Sequence, residues 1–410
     1  MAQAIADRIR VIDIDTHICE PEDLWTSRVS KKWGDLVPHV VKYRDLGRGS
    51  AGTDSALVPS GLFDWDPDDD VWILDGQPTI PTAFMAWAGH DRPHPSHPHT
   101  LADAHPGSYD AAARIRAMDE MGVHAMAVFP NLNISGGGQH GRLAQKEPKL
   151  ALECVRAYND FLTEWCGVDS DRLLAQMALP LWDMEQCVAE VHRAAKMGHR
   201  AVLMTSQPDG LGLPWLPDPY WNPLWETAQD LGLPVAFHIG ADRGTPIWPG
   251  HDRLATVMQL STLLFLSNAT CICELIVSGI CERFPRLNFV SVESGVGYLS
   301  FLLESMDWQW LNQGAAASRP DLKLKPSEYF RRQIYGSFWF EEESARRTLD
   351  IFPDNLFYET DFPHPTSISP GPHPFSKDAR TDIEHKFRDV PPEITRKVLH
   401  DNAARVYHLD

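Results

Sequence analysis

From residue 110 to its end the chain alternates between short apolar runs and longer segments of helical period, and this alternation limits the fold more than any other feature. Runs rich in branched and aromatic residues lie at 123–131, 173–180, 200–205, 233–240, 287–295, 334–340 and 355–365, and an earlier one begins at Val11. Helical segments separate them. That over 111–121, for example, ends at Gly122, a residue suited to the left-handed turn that stops a helix. Eight strands joined by helices predict a (β/α)8 TIM barrel, and 410 residues suffice for one such domain over the whole chain.

The segment from about 38 to 107, between the first and second strands, breaks the pattern. It is rich in Gly, Pro, Asp and Trp, with FDWDPDDDVW at 63–72 and DRPHPSHPHT at 91–100, and shows little periodicity. It is expected to be an inserted loop region covering the barrel mouth, since long irregular segments in compact domains are commonly lids or binding loops. His90, His94, His97, His99 and His105 suggest a metal tract, but the intervening prolines hold the backbone extended and deny it helical ligand pairs.

The polar residues at the strand ends are of one kind. The first strand, VIDIDTHICEP at 11–21, carries Asp15 and His17 two residues apart, hence on one face. His238 closes the fifth strand, Glu293 the sixth and Asp361 the eighth, each after buried-type residues. One such residue is an ordinary polar strand end. Carboxylates and imidazoles at four of eight ends of a parallel barrel, where active sites sit, form a candidate site for a divalent cation.

With a formal charge of −19, the chain lacks the basic surface that nucleic acid or an anionic membrane requires, leaving small molecules or copies of itself as partners. Seven cysteines without paired spacing read as reduced thiols, and MAQAIADRIR shows no secretory signal, so a cytoplasmic location is expected. The apolar region 257–279 is interrupted by Gln259, Ser261, Ser267, Asn268 and Glu274, and reads as one or two core helices instead of a membrane span. Gly136-x-Gly138-x-x-Gly141 matches a dinucleotide fingerprint only formally: it follows the second strand of a barrel, and no acid at the end of a following strand is placed to hold a ribose. No GxSxG elbow points to a serine hydrolase.

Taken together, the D-x-D-x-H-x-x-E-P opening, PVAFHIG, VESGVGYL, TDFPHP and the closing HDNAARVY resemble the amidohydrolase-related family that includes aminocarboxymuconate-semialdehyde decarboxylase and other metal-dependent aromatic acid decarboxylases. The resemblance implies one divalent metal, zinc or manganese, in a TIM barrel that is often a homodimer. Its metal ligands fall on Asp15, His17, His238 and Asp361. Two carboxylates and two neutral imidazoles balance a 2+ ion, and their oxygens admit magnesium as well. The decarboxylase that names the family has His-x-His on strand one and a catalytic His on strand six, where this chain has Asp15-x-His17 and Glu293. Glu293 is therefore the candidate for proton transfer or for orienting a metal-bound water, unless it is a fifth ligand, with Asp361 beside it and His364 as a further acid or supporting group. Arg243 is the candidate partner of a substrate carboxylate, and Trp182 of a flat apolar wall. These assignments imply decarboxylation of an aromatic or related unsaturated acid. Metal-assisted hydrolysis of an amide, ester or lactone is the alternative, and a silent metal-binding protein the more distant one.

Overall fold

The structure, a computed structural model, describes residues 4–46, 65–132, 138–240 and 248–409. Eight strands form one parallel sheet: β1 (Val11–Ile18), then, after an excursion holding β2 (His39–Lys42), β3 (Asp70–Leu74) and β4 (Gln77–Pro81), β5 (Val123–Pro130), β6 (Leu173–Met177), β7 (Ala201–Thr205), β8 (Val235–His238), β9 (Phe289–Val292), β10 (Ile334–Phe338) and β11 (Leu356–Tyr358). Their spatial order is their chain order, β1-β5-β6-β7-β8-β9-β10-β11, with every neighbouring pair parallel. The last strand returns to the first. Asp361 donates its amide to the Asp15 carbonyl (2.9 Å) and His17 donates to the Phe362 carbonyl (2.7 Å). Asp13 fastens the same seam, accepting from the Thr360 amide (3.0 Å) and the Thr360 hydroxyl (2.5 Å). The predicted (β/α)8 barrel is thus observed, and the strand ends meet on one rim.

Small and branched residues fill the barrel. Ile12, Ile14, Ala125, Ala127, Ala201, Ala236, Val290 and Val292 pack at its centre, and Val406 and Tyr407 of the last helix close its lower end. The predicted helix before β5 spans Ala111–Met121. Asp110 caps it by accepting from the Ala113 amide, and Gly122 leaves it at φ 73°, a conformation that Gly adopts without penalty.

Two expectations need correction. The inserted segment is not without regular structure, because β2, β3 and β4 form an antiparallel sheet. Its β3–β4 hairpin turns on Asp75-Gly76, both at positive φ (53° and 70°), the dipeptide favoured in such two-residue turns. Of the five histidines singled out there, His97 and His99 flank the Asp69 carboxylate (3.4 and 2.8 Å), His90 meets the Ser96 hydroxyl and His105 accepts from the Gly107 amide. Trp72 packs edge-on to Trp25, both fully buried. The segment is tied to the C-terminal rim by Trp87 and Ala88, whose amides donate to the Pro363 carbonyl (2.8 and 3.0 Å).

The region expected to form core helices divides into Arg253–Leu264 and Ser267–Val277, and only the second packs deeply, through Cys271, Ile272, Leu275 and Ile276. In the first, Thr256 alone is buried, while Leu254 and Met258 are more than half exposed. All seven cysteines are unpaired.

Candidate metal centre

Asp15 and His17 leave the end of β1 on one face, fully and nearly fully buried. His238 ends β8, and Glu293 directly follows β9. Asp361 lies in the loop after β11, with His364 one turn further on. Glu293 and Asp361 both have left-handed backbones (φ 55° and 60°), a conformation costly for residues with a Cβ and characteristic of functional turns. These six side chains converge. The ligand-type atoms of Asp15, His17, His238 and Glu293 all lie within 4.8 Å of one another, as do those of His17, Glu293, Asp361 and His364.

The two imidazoles at the centre show what the site can hold. His17 turns Nδ1 to the Pro130 carbonyl (3.0 Å) and His238 turns Nδ1 to the Ile239 carbonyl (2.8 Å), so both Nδ1 atoms carry the hydrogen of the neutral ring. Their Nε2 atoms then face each other as lone pairs only 3.0 Å apart. Two such lone pairs repel unless a cation lies between them. The carboxylates repeat the demand: Asp15 Oδ1 is 3.4 Å from His17 Nε2 and 3.3 Å from His238 Nε2, Asp361 Oδ1 is 3.6 Å from His17 Nε2, and Glu293 Oε2 is 3.4 Å from His238 Nε2. Asp15 Oδ2 is buried without any hydrogen-bond partner. The residues present therefore fit a divalent ion of N/O preference, with each Nδ1 hydrogen bond fixing the ring that offers Nε2.

Protonation follows the same crowding. Burial works against the ionised Asp15, yet His238 and His17 outweigh it and hold that carboxyl at about 2. Without an ion, a proton on His238 answers the same demand: burial opposes charge on that ring, but Asp15 and Glu293 draw it up to about 9, and a bound cation would take that proton's place between the two Nε2 atoms. Burial pushes Glu293 up to about 8 and Asp361 well above the carboxylate range, the latter with help from Glu293 and Asp15. His364 is held neutral by burial and by His17, on which it stacks at 3.7 Å. Its Nδ1 is 2.9 Å from Asp361 Oδ1, and its Nε2 is 3.3 Å from Asn131 Oδ1.

The structure thus brings together Asp15, His17, His238, Glu293, Asp361 and His364. Trp182 sits in the loop after β6, half-buried against the main core, and Arg243 lies outside the described residues, as does Gly136 of the glycine motif. One member of the cluster was not anticipated. Glu359, fully buried two residues before Asp361, accepts from the Glu293 amide (3.3 Å), and burial with the nearby Asp15 pushes its pKa well above the usual value.

A parallel barrel gathering carboxylates and imidazoles at its C-terminal rim into two overlapping groups, which share His17 and Glu293, defines a metal-dependent barrel enzyme. More particularly, the chain belongs to the Amidohydrolase family, whose profile matches residues 13–409. It is 26% identical over 263 residues to the gamma-resorcylate decarboxylase of Rhizobium radiobacter, an alignment covering 61% of this chain and 76% of that one. Among solved structures it is similar to an amidohydrolase from Mycobacterium avium subsp. paratuberculosis (TM-score 0.70, 22% identity, 97% of this chain and 99% of that one). It is also similar to the 5-carboxyvanillate decarboxylase of Novosphingobium aromaticivorans, solved with manganese and 4-hydroxy-3-methoxy-5-nitrobenzoic acid (TM-score 0.65, 15% identity, 98% and 96%).

Proposed function

We propose that the protein is a metal-dependent, non-oxidative carboxy-lyase that removes carbon dioxide from an aromatic or related unsaturated carboxylic acid. The observation that carries this reading is Glu293, a partly buried carboxyl 3.4 Å from His238 whose pKa desolvation raises to about 8, so that it can bring a proton to the site. Decarboxylase relatives support the reaction class. Asp15, His17, His238 and Asp361 are the proposed ligands of one divalent ion, zinc or manganese, with magnesium as an alternative. When bound, that ion would neutralise the negative charge of a substrate acid and orient it. Glu293 gives its proton to the ring carbon that bears the carboxylate. As that C–H bond forms, the bond to the carboxylate carbon breaks, its electron pair restores the ring, carbon dioxide departs, and solvent reprotonates Glu293. Asp361 and His364 border the same proton path. Arg243 would pair with the substrate carboxylate, and Trp182 would offer an apolar wall.

The whole chain is read as one domain in which the insertion covers the mouth, a reading supported by its bonds to Pro363. A homodimer is supported by apolar surface on two stretches: Leu254 and Met258, and, along the outer face of the helix Gly297–Asn312, Phe301, Trp308 and Leu311. The stretch Arg253–Val277 is apolar enough for a membrane span (mean hydropathy 1.8), but it is two helices of 12 and 11 residues, each well short of the roughly 20 a crossing takes. Unpaired thiols agree with a cytoplasmic location.

The deciding experiment offers hydroxybenzoates alongside esters, amides and lactones to protein of known metal content, and repeats it with Glu293→Gln. Release of carbon dioxide, reduced roughly 10²–10⁴-fold in the variant with metal retained, is the expected result. Turnover of esters, amides or lactones alone would assign Glu293 as the base of a hydrolase, and full activity in Glu293→Gln would make it structural.

A further inference from the structure

Arg114 is fully buried, and among the described residues no carboxylate lies within ion-pair distance of it. Burying a guanidinium away from any counter-charge costs several kcal/mol unless its donors are otherwise satisfied. Here they are, by a specific set of acceptors. Nε donates to the Gly107 carbonyl (2.6 Å), Nη1 to Thr16 Oγ1 (3.1 Å) and Nη2 to the His17 carbonyl. The ring of Phe362 covers the guanidinium at 4.7 Å and that of Trp165 at 5.5 Å. Burial draws its pKa to about 10, so it remains a cation at neutral pH.

These contacts meet at one residue. The amide of His17 donates to Phe362, its Nδ1 hydrogen goes to Pro130, and its carbonyl is held by Arg114, so Nε2 is the one polar atom of His17 left to face the cluster. Phe362, which receives the amide, also lies against the guanidinium. Thr16, beside His17, accepts from Arg114 and donates to the Ala127 carbonyl (2.7 Å). Without Arg114 the His17 carbonyl would be buried and unsatisfied, and its peptide would be free to rotate towards another donor.

We infer that Arg114 is a positioning residue for the metal centre: by fixing the backbone at Thr16 and His17 through its planar fork, it sets where His17 Nε2 points. This rests on the reading of His17 as a metal ligand. A lysine supplies the charge but only a single ammonium donor site, so it cannot serve Gly107, Thr16 and His17 together.

The test is titration of the chelator-treated protein with manganese(II), followed by calorimetry and by the electron paramagnetic resonance spectrum of the bound ion. Arg114→Lys is expected to raise the manganese Kd about 10–100-fold, the usual cost of losing a group that orients a ligand, and to change the spectrum. Arg114→Met should weaken binding too, whereas a purely electrostatic role would make it tighten binding by removing a positive charge. Asn355→Ala controls for general destabilisation. Its side-chain amide bonds the Phe330, Arg331 and Ile334 carbonyls, remote from the rim, and its loss should lower stability while leaving Kd unchanged. If Arg114→Lys does not fold, Thr16→Val removes one of the fork's acceptors with the guanidinium in place and should still raise Kd by a few-fold. Wild-type affinity and spectrum in Arg114→Lys, or in Thr16→Val where that replaces it, overturn the inference. Failure of the unaltered protein to bind manganese, zinc or magnesium overturns the metal reading itself, and the inference with it.

Discussion

Gly297 begins the helix after β9, and a single methyl there tests how the sixth strand end is held. A Cβ at this position would lie 2.4 Å from Ser344 Cβ, 2.7 Å from Ser344 Oγ and 2.8 Å from Glu341 Oε1. All three contacts fall well inside van der Waals separation, and the Glu341 carboxylate is not free to retreat, because it accepts from the Val296 amide (2.7 Å), the Gly297 amide (2.6 Å) and the Ser344 hydroxyl (3.0 Å). Overpacking costs about 1–3 kcal/mol, and loss of one of these charge-assisted bonds about 1.5–3 kcal/mol, so Gly297→Ala should destabilise by about 2.5–6 kcal/mol. At about 2.1 cal/mol/K per residue over the 410 residues of this chain, that lowers the thermal midpoint by only roughly 3–7 °C, which makes urea denaturation the better measurement. Glu293 is four residues upstream in the same turn, whereas Asp15, His17 and His238 belong to other strands. Turnover should therefore fall further than metal content. Ser344→Gly removes both serine atoms from the clash, so the double variant should be more stable than the two single losses sum to. A Gly297→Ala protein within 0.5 kcal/mol of the original in urea, or a double variant that is merely additive, would refute the reasoning.

Asp15→Ala and His238→Ala should each lose metal in elemental analysis while retaining the circular dichroism of the barrel, whose core is separate from the site. His199 is buried, with Nε2 against Thr163 Oγ1 (2.9 Å) and the Asn159 carbonyl (3.2 Å), and burial holds its pKa at about 4 against 6.5 for the free ring. Between those values the unfolded chain binds a proton that the folded chain does not. Stability should thus fall by about 3 kcal/mol as pH drops from about 6.5 to 4, and His199→Gln should flatten that part of the curve relative to the original protein. Trp308, 65% exposed, should become a dimer-breaking position: Trp308→Glu is expected to sediment as a monomer, and an unchanged oligomer would remove its helix from the interface.

What the sequence discloses here follows from where physical chemistry is local. A strand alternates its side chains by geometry, so Asp15 and His17 could be placed on one face before any tertiary contact was known, and the parallel barrel then decided that their face is the rim. His238, Glu293 and Asp361 could be found because each interrupts an apolar run where a strand has to end. The Asp75-Gly76 turn was equally local, yet it was hidden within a segment whose overall composition argues for irregular chain. Arg114 and Glu359 were not legible, since charged residues are ordinarily exposed, and only the assembled barrel brings them partners from distant parts of the chain, Thr16 and His17 for Arg114 and the Glu293 amide for Glu359.

The helix Arg253–Leu264 shows the opposite limit. Its apolar residues were read as core because periodicity reports that a surface avoids water, not which surface covers it. In the barrel that helix stays largely uncovered, and the same is true of the outer face of Gly297–Asn312. An apolar stripe that the fold leaves outside calls for an explanation of its own, because soluble chains rarely keep such area in contact with water without a use for it. The helix bearing that stripe begins at Gly297, the residue that packs against the Glu341 cap, and Glu293 lies one turn of chain before it. Any partner seated on Phe301 and Trp308 would therefore press on the element that fixes the proposed proton donor. Loss of turnover in Trp308→Glu at full metal content, reversed at protein concentrations high enough to restore the dimer, would show that assembly and proton transfer are connected through this helix. Full turnover in the monomer would show that they are independent.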